Sequence, residues 1–192
     1  MAVNWHAICS TATNCSDVGV EETDKGDHYD PISRTVRLSK DNFSGRSLTA
    51  VAIAAHEVGH AIQHGSGYRL LMLRNRLVTI AAGAEQVGAA AIFIAPIIAA
   101  VTRTPASGGL ILIFAISGLA VSTLVHLITL PVELDDSFKK ALPILQAGEY
   151  LNPEDLPAAR QILRAAAFTY VAGSLMGLIN FWRWLAILRR RI

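Results

Sequence analysis

The sequence predicts a mainly α-helical integral membrane protein. At the membrane surface, a small β-hairpin lies beside a helix with an HEXXH motif, and three transmembrane helices complete the fold. Two observations carry this prediction. The 192 residues are 52% apolar and 17% charged, whereas a soluble domain has about 25% charged residues. Most of the charge lies before residue 77 or between residues 133 and 164, which leaves long uncharged segments that need burial in lipid.

The first 76 residues divide into an irregular segment and a folded region. Residues 1–26 are polar and show no sustained period, so we expect no regular structure there. In the region 27–76, the sequence DHYDP predicts a turn, and the run Thr35–Leu38 predicts a strand that completes a short hairpin. Residues 47–64 are apolar almost all round, which predicts a buried helix ending near Gly65.

Residues 77–131 predict a tight transmembrane hairpin. The segments 77–101 and 109–130 are each long enough to cross a bilayer, and turn-forming residues join them. We expect Pro131 to end the second span. His126, an ionisable group inside that span, is a candidate for contact with substrate or with a metal ligand, or for a local hydrogen bond alone.

The last part of the chain predicts surface helices and a third span. Residues 132–164 begin with acidic residues and continue to Lys139 and Lys140, as an amphipathic surface helix does, and a second helix start follows at Asn152. Residues 165–192 are apolar up to a basic tail, which predicts a C-terminal transmembrane helix anchored at the headgroups.

The segment HEVGH at residues 56–60 has the spacing of a metal site. Residues four apart lie about 40° apart around a helix axis and one turn apart along it, so His56 and His60 can bind one ion together. Glu57 points to the neighbouring face, where it can take the proton of a zinc-activated water and pass it to a leaving amine. The predicted chemistry is therefore hydrolysis of a peptide bond with one zinc ion and Glu57 as the general base.

A catalytic zinc ion needs a third protein ligand. His64 continues the spacing, but three ligands along one straight helix would extend over about 12 Å, too far to meet one ion. The metzincin pattern is excluded, because Gln63 and Ser66 occupy the positions of its glycine and third histidine. Glu133 directly follows the transmembrane hairpin, which returns the chain to the side of the HEVGH helix. We therefore prefer Glu133, with an ordinary acidic helix start as the alternative.

Several segments together resemble a known family, the YugP-type neutral zinc metallopeptidases of bacterial membranes, which have the gluzincin character of HtpX-like proteases. The resemblance runs from about Asp27 to the C-terminus and rests on the segments DHYDP, VRLS, AAHEVGHAIQ, GY, LPVE and AAAFTYVA. It implies that His56, His60 and Glu133 are zinc ligands and that Glu57 is the catalytic base.

Two features of this sequence depart from that family pattern. Such proteins usually begin with a further membrane helix, so we expect the start of this chain to be truncated. We also expect a small residue after the glutamate of LPVE, where Asp136 stands.

Further residues are candidates for contacts around the site. His28, Tyr29 and Tyr68 could steady the oxyanion or touch substrate, although a loop histidine is more often simply solvated. Asp136 or Ser137 could orient a ligand histidine.

The predicted protein is a membrane-bound zinc metalloendopeptidase. Its partners are polypeptide substrates, membrane proteins among them, and the lipid bilayer. We expect an extended substrate to add a strand along Thr35–Leu38. The net charge of +2 and the lack of an arginine-rich helix argue against nucleic acid. Two alternatives stay open: an inactive membrane scaffold, which Glu57 argues against, and a metal-binding or transport protein that uses Glu85 and His126.

The predicted location is the cell membrane, which the chain crosses several times. Three spans put the metal site and the basic tail on opposite faces, so the tail alone would place the site outside. Lys139, Lys140 and the arginines at 69, 74 and 76 favour the other orientation. We expect the active site on the cytoplasmic face.

Overall fold

Three short strands come first among the residues that this computed structural model describes, which are 17–148 and 150–189. Strands β1 (Gly19–Glu22), β2 (His28–Asp30) and β3 (Thr35–Leu38) form a sheet in the order β1-β3-β2. Strand β3 is parallel to β1 and antiparallel to β2. The expected hairpin is present as β2 and β3.

Strand β1 differs from the expectation that residues 1–26 are irregular, although residues 1–16 lie outside the described part. Val20 pairs with Val36 of β3 and belongs to the buried core. A single apolar side chain in a polar segment carries no periodic signal, so the strand becomes recognisable only once β3 lies beside it.

The central position of β3 overturns the expectation that a substrate adds along Thr35–Leu38. The backbone of β3 already pairs with β1 on one side and with β2 on the other. A strand with two neighbours has no free hydrogen-bonding edge to offer.

The HEVGH segment lies in helix α2 (Leu48–Gly65), which follows the short helix α1 (Lys40–Phe43). Ser47 caps α2, because its side chain accepts a hydrogen bond from the amide of Ala50 at 3.1 Å. After the helix, Gly67 adopts a φ of 67°, which lets the chain turn sharply.

Helix α2 is central to the first of two compact units, which comprises residues 17–72 and 131–169. Its apolar faces pack against the sheet and against helices from the second half of the chain. The core of this unit contains Val36, Leu38, Val51, Ala55, Val58, Ala141, Leu145 and Leu163. Small residues on α2 let its neighbours approach closely.

The second unit contains most of helices α3 (Arg69–Thr102) and α4 (Pro105–Asp135). Their apolar windows have mean hydropathies of 1.8 and 2.3, and only 11% and 18% of those windows are buried. Large apolar side chains such as Phe93, Val101 and Leu110 face outward. The core helix of a soluble protein would hide such side chains, so both helices have the length and surface of membrane spans.

Within the described residues these two helices, and not the three expected, are long and apolar enough to cross a membrane. The predicted third span falls in helix α6 (Leu156–Arg189), which follows a 3₁₀ turn at Pro153–Asp155. The predicted span, residues 165–188, lies partly outside the residues whose side chains the structure describes. Residues 190–192 lie outside the description.

Pro131 does not end a helix, contrary to the prediction. Helix α4 continues through it to Asp135, then becomes a π-helix (Asp136–Ala141) and helix α5 (Leu142–Ala147). A proline removes one backbone hydrogen bond from a helix. The helix nevertheless continues, and the residues that follow the proline, Val132 and Glu133, are buried.

Candidate metal centre

The side chains of His56, His60 and Glu133 converge inside the first unit. Oε2 of Glu133 lies 3.5 Å from Nε2 of His56 and 3.4 Å from Nε2 of His60. One donor atom from each residue lies within 4.8 Å of the other two. The residues are 6%, 5% and 0% exposed, so this polar cluster lies in the interior.

This arrangement fits a zinc ion. Zinc binds imidazole nitrogen and carboxylate oxygen at about 2.0–2.2 Å in tetrahedral geometry, which separates neighbouring donor atoms by about 3.4 Å. The two distances to Glu133 have that value. Three protein ligands also leave one position open, as catalytic sites require.

Asp136 and Ser137 contact the other ring nitrogen of His56. Oδ2 of Asp136 lies 2.5 Å from Nδ1, and Oγ of Ser137 lies 3.1 Å from it. Ser137 also donates to the carbonyl of Leu163 at 3.0 Å, which ties the π-helix to α6. When Nδ1–H of His56 donates to the carboxylate, Nε2 is left with a lone pair for a metal.

Gln63 contacts the other ring nitrogen of His60, as Asp136 does for His56. Its Oε1 lies 3.1 Å from Nδ1 of His60, while its Nε2 donates to the carbonyl of Val132 and to Asp135, each at 3.0 Å. Gln63 is 0% exposed. One side chain therefore connects a candidate ligand on α2 with the backbone beside Glu133 on α4.

Helical spacing places the second half of the site on one face. Glu133, Asp136 and Ser137 stand at positions i, i+3 and i+4, and all three are buried. They approach α2 at Gly59, where a Cβ atom would collide with Oδ1 of Asp136 and lie 2.9 Å from its Cγ. The absence of a side chain at residue 59 lets the two helices meet.

The buried carboxylates control the protonation of the site. Burial alone would lower the pKa of His56, but Asp136 and Glu133 outweigh it and raise that pKa well above its usual range. The same balance raises the pKa of His60. Burial raises the pKa of Glu57, and the two histidines oppose part of the shift. A bound cation would replace protons as the positive charge among these carboxylates.

The other sequence-predicted residues lie elsewhere or have local partners. His28 donates a hydrogen bond from Nδ1 to the carbonyl of Gly26, 2.8 Å away, within its own turn. The hydroxyl of Tyr29 lies 2.8 Å from Nδ1 of His64, at the end of α2. Tyr68 is half-buried where α2 gives way to α3, and His126 belongs to the second unit.

Gln63 is the contributor that sequence reasoning missed. We considered it only as a residue that breaks the metzincin pattern. A recognisable signal was present: an uncharged polar side chain one turn after His60, on a helix that is apolar almost all round. Such a buried amide needs hydrogen-bond partners, and the ring of His60 is within reach.

Comparison with known proteins identifies the family of this chain. Residues 8–189 match the family described as "Putative neutral zinc metallopeptidase". The chain is also 36% identical over 161 residues to the "Putative membrane protease YugP" of Bacillus subtilis (strain 168), covering 84% of this chain and 68% of that protein. No solved structure matches. The resemblance drawn from the motifs is thereby confirmed, and the match begins before Asp27, where we had placed its start. The chain belongs to the family of putative neutral zinc metallopeptidases.

Proposed function

We propose that this protein is a membrane-bound zinc metalloendopeptidase in which Glu57 is the general base. The observation that carries the proposal is the convergence of His56 and His60 on Oε2 of Glu133, at 3.5 and 3.4 Å. The three residues would hold one zinc ion. Membership of a family of zinc metallopeptidases supports the same reaction class.

A zinc ion held there would supply a Lewis acid that polarises the scissile carbonyl and lowers the pKa of a water molecule. His56 and His60 contribute neutral imidazoles, whose orientation Asp136 and Gln63 set. Glu133 contributes the negative charge that favours a cation over a neutral ligand.

Glu57 moves the proton. It follows His56 directly on α2, so helical geometry would direct its carboxylate to the space beside the ligand pair and away from the ion. Its oxygen takes a proton from the attacking water and later gives it to the nitrogen of the departing amine. Burial raises the pKa of Glu57, which suits a group that must hold a proton between those two steps.

We place the protein in the cell membrane, with the site on the cytoplasmic face. Two spans, α3 and α4, return the chain to the side from which it entered, so α2 and Glu133 share one face. Basic residues border the spans on that side, at Arg69, Arg74, Arg76, Lys139 and Lys140, whereas the turn between the spans carries Arg103. The positive-inside rule therefore favours the cytoplasm, and membrane proteins would be accessible substrates.

The test is zinc analysis and cleavage of casein and of a membrane protein by the purified full chain, compared with Glu57→Gln. The variant should keep one zinc ion and lose about 10²–10⁴-fold in cleavage rate. Glu154→Gln, the same change at an exposed acid, is the matched control and should cleave as the wild type does.

Two results would replace this function with another. Zinc binding by the wild type without cleavage of either substrate would favour an inactive scaffold. Zinc uptake into vesicles that Glu57→Gln retains in full would favour a transporter.

A further inference from the structure

A groove on the first unit combines apolar walls with two arginines. It has a volume of about 660 Å³ and is bordered by the end of α4, the π-helix, α5 and the first turns of α6. The residues of the metal cluster do not line it. Its apolar lining residues are Leu134, Phe138, Leu142, Leu156, Pro157 and Phe168. The described lining residues include no acid, so the groove carries the positive charge of Arg160 and Arg164.

Arg160 and Arg164 stand one helical turn apart on α6 and therefore share a face. Both are exposed, and neither forms an ion pair with a residue that the structure describes. The guanidinium of Arg160 lies 5.8 Å from the centre of the Phe138 ring. Like charges at this spacing repel each other, so a bound anion would relieve a cost that the free protein bears.

The turn that carries these arginines is held firmly. Leu163 lies between them in sequence, is 0% exposed, and accepts a hydrogen bond at its carbonyl from Ser137 at 3.0 Å. The arginines therefore project from a fixed piece of backbone, which reduces the entropy lost when they bind an anion.

The groove also begins where the apolar part of α4 ends. Leu134 follows Leu130 by about one turn of the same helix, and Leu130 is the last residue of the apolar segment 109–130. Residues at that distance from the end of a span lie at the depth of lipid headgroups.

We propose that this groove binds one anionic phospholipid. Its phosphate would bind Arg160 and Arg164, since guanidinium groups pair with phosphate oxygens through two parallel hydrogen bonds. The upper part of its acyl chains would cover Leu134, Phe138 and Phe168. A soluble anion would use the arginines and leave the apolar walls in water, whereas a lipid covers both. This proposal does not depend on peptidase activity.

Native mass spectrometry of the purified full chain in detergent tests the proposal, with phosphatidylglycerol as the probe and phosphatidylcholine as the neutral comparison. We expect one phosphatidylglycerol to bind the wild type in preference to phosphatidylcholine. The variant Arg160→Gln/Arg164→Gln should bind it at least about tenfold more weakly, given the contribution of each basic residue near a membrane surface. Arg46→Gln/Arg69→Gln removes the same charge from exposed positions outside the groove and should bind as the wild type does.

Four results would overturn the proposal. Equal binding by the wild type and by Arg160→Gln/Arg164→Gln would exclude the groove, and an equal loss in the control pair would show diffuse attraction to charge. Displacement of the lipid by millimolar inorganic phosphate would indicate a site for a soluble anion. An unchanged lipid affinity together with a raised KM for acidic peptides in the groove variant would show that the groove holds substrate.

Discussion

Nδ1 of His56 lies 2.5 Å from Oδ2 of Asp136, although the whole apolar hairpin separates the two residues in the chain. The contact places a carboxylate behind the first histidine of the HEVGH segment and directs its Nε2 towards Glu133. Gln63 orients His60 in the same way. Helix α2 and the segment that carries Glu133 are thus joined by the hydrogen-bonding side chains of Asp136 and Gln63 as well as by the candidate ligands themselves.

Replacing Glu133 with alanine should remove the third metal ligand. Replacing a residue that only hydrogen-bonds to a zinc ligand weakens zinc binding by about 10–100-fold. Loss of a direct ligand should weaken it by more. Competition with a chelator of known affinity measures this. Glu154→Ala is the control and should bind zinc normally; a normal affinity in Glu133→Ala would rule out its role as a ligand.

Gln63→Leu should weaken zinc binding by about 10–100-fold while the ligands stay in place. The leucine cannot accept the hydrogen bond of His60, and it leaves the carbonyl of Val132 without the amide donor. The same chelator competition applies, with Gln86→Leu at an exposed position as the control. If both variants bind zinc equally well, Gln63 does not position His60.

Gly59→Ala should destabilise the protein by about 1–3 kcal/mol, the usual cost of overpacking a tight core. The new methyl group would collide with the carboxylate of Asp136, which is itself held by His56. Thermal unfolding in detergent measures the change. The control is Gly83→Ala, where a Cβ atom meets nothing within 4 Å, and its stability should be unchanged or higher. Equal melting temperatures would mean that α2 and the π-helix approach less closely than described.

Zinc affinity should fall as the pH is lowered, and the fall should begin above the ordinary histidine pKa of about 6.5. The pKa values of His56 and His60 are raised in the zinc-free protein, so protons compete with zinc from a higher pH than usual. Calorimetry in buffers of different ionisation enthalpy should also detect protons released on binding. An affinity that is constant between pH 6 and 8 would contradict the raised values.

Acidification should change the stability of the zinc-free and the zinc-loaded protein in opposite directions. A raised histidine pKa stabilises the zinc-free protein below the pKa of the unfolded state, and this contribution is lost as the pH rises through the folded-state values. Zinc-free protein should therefore gain stability on acidification, measured as the melting temperature, over the pH range in which zinc-loaded protein loses it.

The site was predictable from sequence where its signal is local. The spacing of His56 and His60 follows from one turn of one helix, and a segment that is apolar almost all round is enough to predict that helix. The order of the hairpin and Glu133 along the chain suggested a ligand on the returning segment, and the structure brings Glu133 to the histidine pair. Among the described residues, two of the three expected spans are found, and the helix continues through Pro131 instead of ending there.

Hydrophobic pattern and motif spacing determined the apolar helices and the histidine pair, because both depend on residues that are neighbours on one helix. The roles of Gln63 and Asp136, the central place of β3 and the pairing of β1 depend on which elements lie against α2. Such contacts join residues far apart in sequence, and their energies come from packing and from the need to pair buried polar groups. They exist only after the chain has folded, so a local pattern can mark Gln63 or Asp136 as a candidate but does not specify its partner.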